Sequence, residues 1–296
     1  MLRREISGFH YYERQSGLHL LFDEAKVARE DAINRGPRHL SLMLTRSCNL
    51  NCPFCYVEKG EREASFDLLI AICEAAKELQ VLDITLGGGE PTLHSSFGEF
   101  ISHAWTTYPY GISVTTNAID ITPLIDVAGM LSSVRISTDN TMRPVTAKFA
   151  GRIEKIAAVH KVGANILYSP SSSRWVRDTI RLLATLGTRD FLIIPQHDSG
   201  QYVINENDWR EMDGIVRDLN EKYQIMVTSD ATPRITSPLL ATYCESEYLF
   251  AHIDESGNIR ERSWGPSFVK ARTQNEIMHG LLQLNPLRRN NNEDMD

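Results

Sequence analysis

The sequence is most informative between residues 42 and 56, where it reads Leu-Met-Leu-Thr-Arg-Ser-Cys-Asn-Leu-Asn-Cys-Pro-Phe-Cys-Tyr. Three of the five cysteines in the chain, Cys48, Cys52 and Cys55, lie in this stretch with the spacing Cys-x3-Cys-x2-Cys. The apolar residues 42–44 predict the end of a strand, so we expect the thiols in the loop that follows it. Closed zinc sites and the iron–sulfur sites of electron carriers need four protein ligands, whereas three thiolates on a cubane cluster leave one iron open for chemistry.

A zinc site is the competing interpretation of the cysteine loop. Its fourth ligand would be a histidine or the distant Cys244, but no second Cys-x2-Cys or His-x3-His pair follows at the usual distance. A disulfide framework fits less well, because the number of cysteines is odd. We therefore favour an iron–sulfur site over zinc.

Short apolar runs and longer amphipathic segments alternate along the middle of the chain. The apolar runs predict strands at 40–44, 82–86, 112–116, 134–137, 164–168 and 191–194. Apolar residues at helical spacing predict helices at 66–79, 97–108, 153–160 and 175–186, and a further helix is predicted at 206–222. Continuous apolar strands separated by helices indicate an α/β fold with a parallel sheet covered on both faces. Composition alone also allows an open doubly wound sheet.

The cysteine spacing and its position after the first predicted strand resemble the radical S-adenosylmethionine (radical SAM) superfamily. That resemblance implies a partial (β/α)6 TIM-like barrel, whose chemistry would lie at the carboxyl ends of the strands. It also implies one 4Fe–4S cluster on Cys48, Cys52 and Cys55, with S-adenosylmethionine (SAM) bound at the open iron.

The resemblance leads us to divide the chain into four parts. They are an N-terminal β-hairpin and linker (1–37), the barrel core (38–203), a small C-terminal α/β extension (204–285) and a disordered tail (286–296). Strands on both sides of an Arg-Gln-Ser-Gly turn predict the N-terminal hairpin. The turn sequence at 254–257 predicts a second hairpin, and the polar tail lacks the apolar residues of a core.

The second predicted strand ends in three glycines followed by Glu90. Consecutive glycines allow a ligand to approach the backbone closely. The sequence is similar to the Gly-Gly-Glu motif of radical SAM proteins, which implies that Gly88, Gly89 and Glu90 receive the amino group of SAM.

Polar residues also end the next strands. Asn117 lies in Thr-Asn-Ala, which resembles a Thr-Asn-Gly of peptide-modifying members, although Ala118 replaces the glycine. Ser137 and Asp139 match a Ser-x-Asp pattern that implies contacts to the ribose of SAM. The alternative for these strand ends is an Asp or Asn turn that caps the next helix.

Two residues are assigned to the adenine of SAM through the same resemblance. Asn165 lies on the fifth predicted strand, near the expected adenine edge. Tyr56 follows the third cysteine, where the family commonly has an aromatic residue beside the adenine.

The sixth strand is followed by Gln196, His197 and Asp198. These residues either face the substrate or are ordinary polar residues of a loop at this end of the barrel.

The two remaining cysteines are expected to differ. Cys73 repeats with apolar neighbours at helical spacing and is predicted to be buried and structural. Cys244 precedes the second hairpin, in a region that resembles a degenerate form of the cysteine-rich SPASM or Twitch extension. One cysteine cannot hold an auxiliary cluster, so we expect a single cluster. Cys244 is then either a buried remnant or, as in radical SAM epimerases, the hydrogen-atom donor.

Charge and hydropathy restrict the partners of the protein. The net charge of −7 argues against a protein that holds a nucleic-acid backbone. The polar N-terminus lacks the apolar core of a signal peptide, and no run of eighteen apolar residues predicts a membrane span. We therefore expect a cytoplasmic protein with no nucleic-acid or membrane partner.

These features together predict a radical SAM enzyme that abstracts hydrogen from a peptide or natural-product substrate. An electron donor such as flavodoxin or ferredoxin would reduce its cluster, and Cys244 would serve an epimerisation. The alternatives are a radical SAM enzyme for a sugar or aminoglycoside, and a non-catalytic zinc or iron–sulfur protein.

Overall fold

The computed structural model describes residues 1–5, 8–22, 34–198, 200–228, 249–286 and 288. Within them, six strands follow one another along the chain and lie in the same order in one parallel sheet. They are β4 (His39–Thr45), β5 (Asp83–Gly88), β6 (Gly111–Thr116), β7 (Ser133–Thr138), β8 (Val162–Tyr168) and β9 (Asp190–Pro195). The predicted α/β fold with a parallel sheet is confirmed.

Helices follow these strands and cover one face of the sheet, whereas the sequence analysis predicted that both faces would be covered. They are α1 (Phe66–Glu78), α2 (Phe97–Thr107), α3 (Thr122–Val127), α4 (Ala147–Ala157), α5 (Ser173–Thr185), α6 (Glu206–Leu219) and α7 (Gln274–Gln283). The start of α4 was predicted six residues too late, because Thr146 caps it by accepting a hydrogen bond from the Phe149 backbone N–H. The sequence analysis did not predict α3 or α7.

The core lies between the helices and alternate residues of the strands. Leu40, Leu42 and Leu44 of β4 are fully buried, as are Leu69 and Ile72 of α1. The intervening strand positions carry many polar side chains, so the sheet has one apolar face and one largely polar face.

Further strands extend the sheet at both edges. β12 (Gln224–Val227) pairs in parallel with β9, and β13 (Phe250–Ile253) pairs in parallel with β4. β14 (Asn258–Arg260) and β15 (Val269–Lys270) continue antiparallel from β13. The hairpin predicted around 254–257 is therefore present, and Gly257 adopts a φ of 84° in its turn. Its pairing with the strand that precedes the cysteines was not predicted.

A separate three-stranded antiparallel sheet precedes the main sheet in the chain. It consists of β1 (Leu2–Glu5), β2 (Gly8–Glu13) and β3 (Leu18–Phe22), of which β1 was not predicted. Tyr12 is buried, and its hydroxyl donates a hydrogen bond of 3.3 Å to Asp83, the first residue of β5. Arg14 donates to the backbone carbonyls of Trp105 and Tyr108. The small sheet therefore packs at the amino ends of the central strands.

Two remaining features concern short strands and membrane spans. A two-stranded hairpin follows β9 and is formed by β10 (His197–Asp198) and β11 (Gln201–Tyr202).

In the part of the chain that the structure describes, no helix has both the length and the apolar character that crossing a membrane requires.

The close packing of Tyr12 can be tested at Gly111, the first residue of β6. A Cβ atom added at Gly111 would lie 1.7 Å from Tyr12 Oη and 2.7 Å from Asp83 Oδ2. We expect Gly111→Ala to lower the free energy of unfolding by about 1–3 kcal/mol, as overpacked substitutions do. Urea denaturation of the purified protein measures this change.

The matched control is Gly151→Ala in α4, where an added Cβ meets no atom within 4 Å. Alanine in an open helical position should leave stability unchanged or raise it by about 0.5–1 kcal/mol. Equal unfolding free energies for the two variants would contradict the packing described for Tyr12.

Candidate functional site

The three cysteines lie in the loop after β4, at the carboxyl end of the parallel sheet. Cys48, Cys52 and Cys55 are all half-buried free thiols. The Cys55 backbone N–H donates to the Cys52 carbonyl at 3.1 Å and closes a tight turn. Burial raises the pKa of the Cys52 thiol, and the nearby Arg143 guanidinium acts to lower it. The Cys55 and Cys48 thiols are close enough to Cys52 to raise its pKa further. The loop therefore brings the three sulfurs into one neighbourhood.

The Gly-Gly-Glu turn at the end of β5 lies against the backbone of this loop. The N–H of Gly89 donates to the Thr45 carbonyl at 2.7 Å, and the N–H of Glu90 donates to the Ser47 carbonyl at 2.8 Å. A Cβ at Gly88 would lie 2.4 Å from Thr45 O, and one at Gly89 would lie 2.2 Å from Ser47 O. Sequence analysis explained these glycines by the approach of a ligand, but the structure shows that they also admit the cysteine loop itself.

Glu90 is 2% exposed and joins the ends of β5 and β6. Its carboxylate accepts hydrogen bonds of 2.8 Å from the Thr92 hydroxyl, the Thr116 hydroxyl and the Asn117 backbone N–H. Burial raises the pKa of Glu90, whereas these hydrogen bonds act to lower it. Glu90 thus organises the strand ends, and its predicted contact with the SAM amino group stays a prediction.

Asn117 connects the end of β6 to the cysteine loop. Its Nδ2 donates to Asn49 Oδ1 at 2.7 Å and lies 3.9 Å from Cys48 Sγ. The next residue, Ala118, adopts a φ of 54°, in the left-handed region that favours glycine. The turn expected at Thr-Asn-Gly therefore forms with alanine, and the Ala118 N–H donates to the Thr116 hydroxyl at 2.9 Å.

Asp139 follows β7 and is fully buried. Its carboxylate accepts hydrogen bonds from the backbone N–H groups of Thr141 and Met142, and the Arg143 guanidinium donates to it at 2.7 Å. Although burial acts to raise its pKa, the hydrogen bonds from Arg143 and the backbone hold the pKa below the ordinary value. These contacts form the Asp turn considered as the alternative, although Thr146 and not Asp139 caps the next helix. Ser137 is half-buried on β7, and the ribose contacts of both residues stay predictions.

Asn165 and Tyr56 have different surroundings. Asn165 Oδ1 accepts a hydrogen bond of 2.7 Å from Arg135, which also pairs with Asp190 at 2.7 Å across β8. Among the described contacts, none joins Asn165 to the cysteine loop. Tyr56 is 50% exposed and lies near Ser263 in the segment after β14. The adenine contacts of both residues stay predictions.

The three residues after β9 lie near the C-terminal segment of the chain. The Gln196 N–H donates to the Tyr168 carbonyl at 2.9 Å, and Asp198 is exposed on β10. The His197 ring lies 4.8 Å from the Trp264 ring. The sequence analysis assigned no contact to Trp264, although its aromatic character could have suggested one with this loop.

Sequence analysis missed a buried ion pair beside the cysteines. Glu255, in the turn after β13, is 3% exposed and accepts a hydrogen bond of 2.8 Å from Arg46, two residues before Cys48. The pair connects residues 209 positions apart, and no local sequence pattern indicates it. It fixes the start of the cysteine loop to the C-terminal hairpin.

The three cysteine thiols are arranged for a cubane cluster and not for a single metal ion. Within the described ranges, no three His, Cys, Asp or Glu side chains surround one metal-ion position. A cubane has a different requirement, since each of its thiolates binds a separate iron. Three free thiols in one loop, with N–H groups beside two of the sulfurs, fit such a cluster. Cys244, the predicted hydrogen donor, lies outside the described residues.

Comparison with known families agrees with this geometry. The family model of the radical SAM superfamily matches residues 42–140. Residues 42–140 therefore resemble a radical SAM domain. The matched range contains the cysteine loop, Glu90, Asn117 and Asp139.

Curated relatives extend the comparison. Mycofactocin maturase MftC of Mycolicibacterium smegmatis is 34% identical over 124 residues, which are 39% of this chain and 31% of that protein. The chain thus spans about a third of the length of the first relatives it matches. A probable GTP 3′,8-cyclase of Saccharolobus islandicus is 26% identical over 216 residues, covering 66% of this chain and 70% of that protein.

Solved structures show a similar fold. Streptococcus suis SuiB has a TM-score of 0.69 and 15% identity, covering 92% of this chain and 84% of that chain. A SuiB structure bound to the precursor peptide SuiA has a TM-score of 0.63 and 16% identity, covering 81% of this chain and 64% of that chain. At such identities the likeness concerns the fold alone.

The backbone contact at the cysteine loop can be tested at Gly89. Its added Cβ would push against the Ser47 carbonyl, so Gly89→Ala should lower the free energy of unfolding by about 1–3 kcal/mol. Gly87→Ala is the matched control, because an added Cβ there meets no atom within 4 Å. Guanidinium denaturation under anaerobic conditions gives both values, and an unaffected Gly89→Ala would show that the loop does not depend on this contact.

Proposed function

We propose that this protein is a radical SAM enzyme that holds one 4Fe–4S cluster on Cys48, Cys52 and Cys55 and abstracts hydrogen from a peptide-type substrate. One observation carries the proposal. The cysteine loop is joined by its backbone to the Gly-Gly-Glu turn of β5 and by a side chain to Asn117 of β6, so three adjacent strand ends form one site. The matching family model covers this same part of the chain.

The bound cluster supplies one-electron reduction of SAM, which releases methionine and a 5′-deoxyadenosyl radical that can take hydrogen from an unactivated carbon. The protein orients SAM for this reaction. In the proposal, Gly88, Gly89 and Glu90 bind its amino group. Glu90 suits this role because a buried carboxylate in a fixed orientation attracts an ammonium group strongly.

The other SAM contacts follow the order of the strands. We assign Asn117 to SAM at the end of β6, Ser137 and Asp139 to its ribose, and Asn165 and Tyr56 to its adenine. Asp139 is already held by Arg143 and two backbone N–H groups, so its role would be to keep a rigid turn beside the ribose.

The partial (β/α)6 barrel and the four-part division of the chain belong to this proposal. Polar side chains on one face of the strands support the barrel. Asp83, Ser113 and Ser133 form a hydrogen-bonded chain across β5, β6 and β7, while Arg135 binds Asp190 across β8. A doubly wound sheet would bury apolar residues on both faces.

A peptide substrate is supported by the comparisons. MftC is described as a maturase, and SuiB has been solved with a precursor peptide. Gln196, His197 and Asp198 are our proposed substrate contacts, and the electron donor would be a flavodoxin or ferredoxin in the cytoplasm. A nucleotide substrate is the second candidate, favoured by the longer match to a probable GTP cyclase.

The first test is anaerobic reconstitution with iron and sulfide, followed by SAM, dithionite and quantification of 5′-deoxyadenosine. We expect about four irons per chain. Cys52→Ala should lose the cluster and 5′-deoxyadenosine together, because a cluster ligand is removed. Cys73→Ala is the matched control, since Cys73 is buried in α1 away from the cysteine loop.

The outcomes separate the candidates. Bound zinc without iron would reject the proposal in favour of a zinc protein. A full iron complement without 5′-deoxyadenosine, with either a precursor peptide or GTP present, would indicate an electron carrier. Peptide-dependent or GTP-dependent 5′-deoxyadenosine formation would distinguish the two substrate classes.

The epimerisation part of the proposal depends on Cys244 as the hydrogen-atom donor. Cys244→Ala should then still form 5′-deoxyadenosine with substrate but give less than about a tenth of the epimerised product, because the substrate radical would lose its hydrogen-atom donor; loss of a positioned proton donor costs a comparable factor or more. Deuterium uptake from heavy water measures the donation. Normal deuterium incorporation in Cys244→Ala would exclude this role.

A further inference from the structure

A lysine lies directly against one of the three cluster cysteines. The Lys59 ammonium donates a hydrogen bond of 3.4 Å to Cys55 Sγ, and the lysine is half-buried. Lys59 is four residues after Cys55, in the same loop. Nothing in the cysteine motif itself requires a cation at this position.

The three sulfurs have different polar neighbours. The neutral amide of Asn117 lies 3.9 Å from Cys48 Sγ. The Arg143 guanidinium lies near the Cys52 thiol, but it forms an ion pair of 2.7 Å with Asp139. Around the described part of this loop, the ion pairs involve Arg46 and Arg62 with Glu58 and Glu255, and Lys59 takes part in none of them. The Lys59 charge is therefore directed at the sulfur.

We propose that Lys59 is a positioning residue that acts through the Cys55 thiolate and raises the reduction potential of the cluster. The inference rests on the proposed function, because it requires the 4Fe–4S cluster. Reduction adds one electron from the external flavodoxin- or ferredoxin-type donor, and neither breaks nor forms a bond in the protein. A fixed positive charge stabilises the state with the extra electron, and hydrogen bonds to cluster sulfurs raise the potential in the same direction.

The loop does not need the Lys59 side chain for its conformation. The Cys55 N–H to Cys52 carbonyl bond closes its turn, and the Ser47 hydroxyl donates to the Gly60 carbonyl at 3.1 Å. These contacts are independent of the lysine side chain. Substitution of Lys59 should therefore change the charge beside the cluster and leave the loop folded.

The test is a redox titration of the reconstituted holoprotein without SAM, followed by the electron paramagnetic resonance signal of the reduced cluster. For Lys59→Met, we expect an about tenfold lower ratio of reduced to oxidised cluster at a given solution potential, equal to about 59 mV for one electron. Lys59→Arg keeps the charge and should stay within about threefold of the wild type.

Lys77→Met is the matched control. Lys77 is exposed in the last turn of α1, so the same charge is removed from the surface at the opposite end of that helix from the cysteine loop. Its cluster should titrate as the wild type does. Because a midpoint does not depend on occupancy, a variant that assembles less cluster still gives a valid value.

Equal midpoints for Lys59→Met and Lys77→Met would overturn the proposal. A midpoint for Lys59→Arg as low as that of Lys59→Met would also reject it, because the charge would then not matter. Failure of the proposed function looks different, since the wild-type protein itself would then hold no iron–sulfur cluster, or would hold one and form no 5′-deoxyadenosine.

Discussion

The site depends on close contact between two backbones at the ends of β4 and β5. Gly89 and Glu90 donate their N–H groups to Thr45 and Ser47, and this contact leaves no room for a side chain at Gly88 or Gly89. Because the cysteine loop begins directly after Ser47, the contact determines where the thiols lie. A parallel sheet provides such a position naturally, since the carboxyl ends of neighbouring strands meet at the same edge.

Buried carboxylates then hold the strand ends together. Glu90, Asp139 and Glu255 are each nearly or fully buried. Glu90 and Glu255 accept hydrogen bonds or ion pairs from distant segments, whereas Asp139 is held by donors within its own turn. A buried carboxylate without partners would cost about 3–5 kcal/mol. Glu90 and Asp139 have donors on both oxygens, and Glu255 has Arg46 on one of its two oxygens, so the three groups make this end of the sheet rigid. A rigid frame is what a reactive intermediate requires, because its position relative to the substrate decides which hydrogen is taken.

Sequence patterns were sufficient to predict the six central strands and the position of the cysteine loop after the first of them. Each strand contains a short run rich in apolar and β-branched residues, and the loop is marked by its unusual cysteine spacing, so both signals are local. The partners of Glu90 were not predicted, because its donors come from the next strand end. The Asp turn at Asp139 was one of two alternatives, and the sequence did not decide between them because the shape of that turn depends on the fold. The Arg46–Glu255 pair was also missed, since it depends on β13 pairing with β4 across more than 200 positions.

The matched family range ends at residue 140, but later segments also reach the end of the sheet where the cysteine loop lies. The C-terminal segment reaches this end of the sheet twice, through Glu255 beside Arg46 and through Trp264 beside His197. Trp264 also lies so close to Gly200 that a Cβ there would be 2.8 Å from its ring. The hairpin after β9 and the segment after β14 are therefore packed against each other. In the proposed enzyme, substrate selection would depend on this pair of segments, while the part within 42–140 would form the radical.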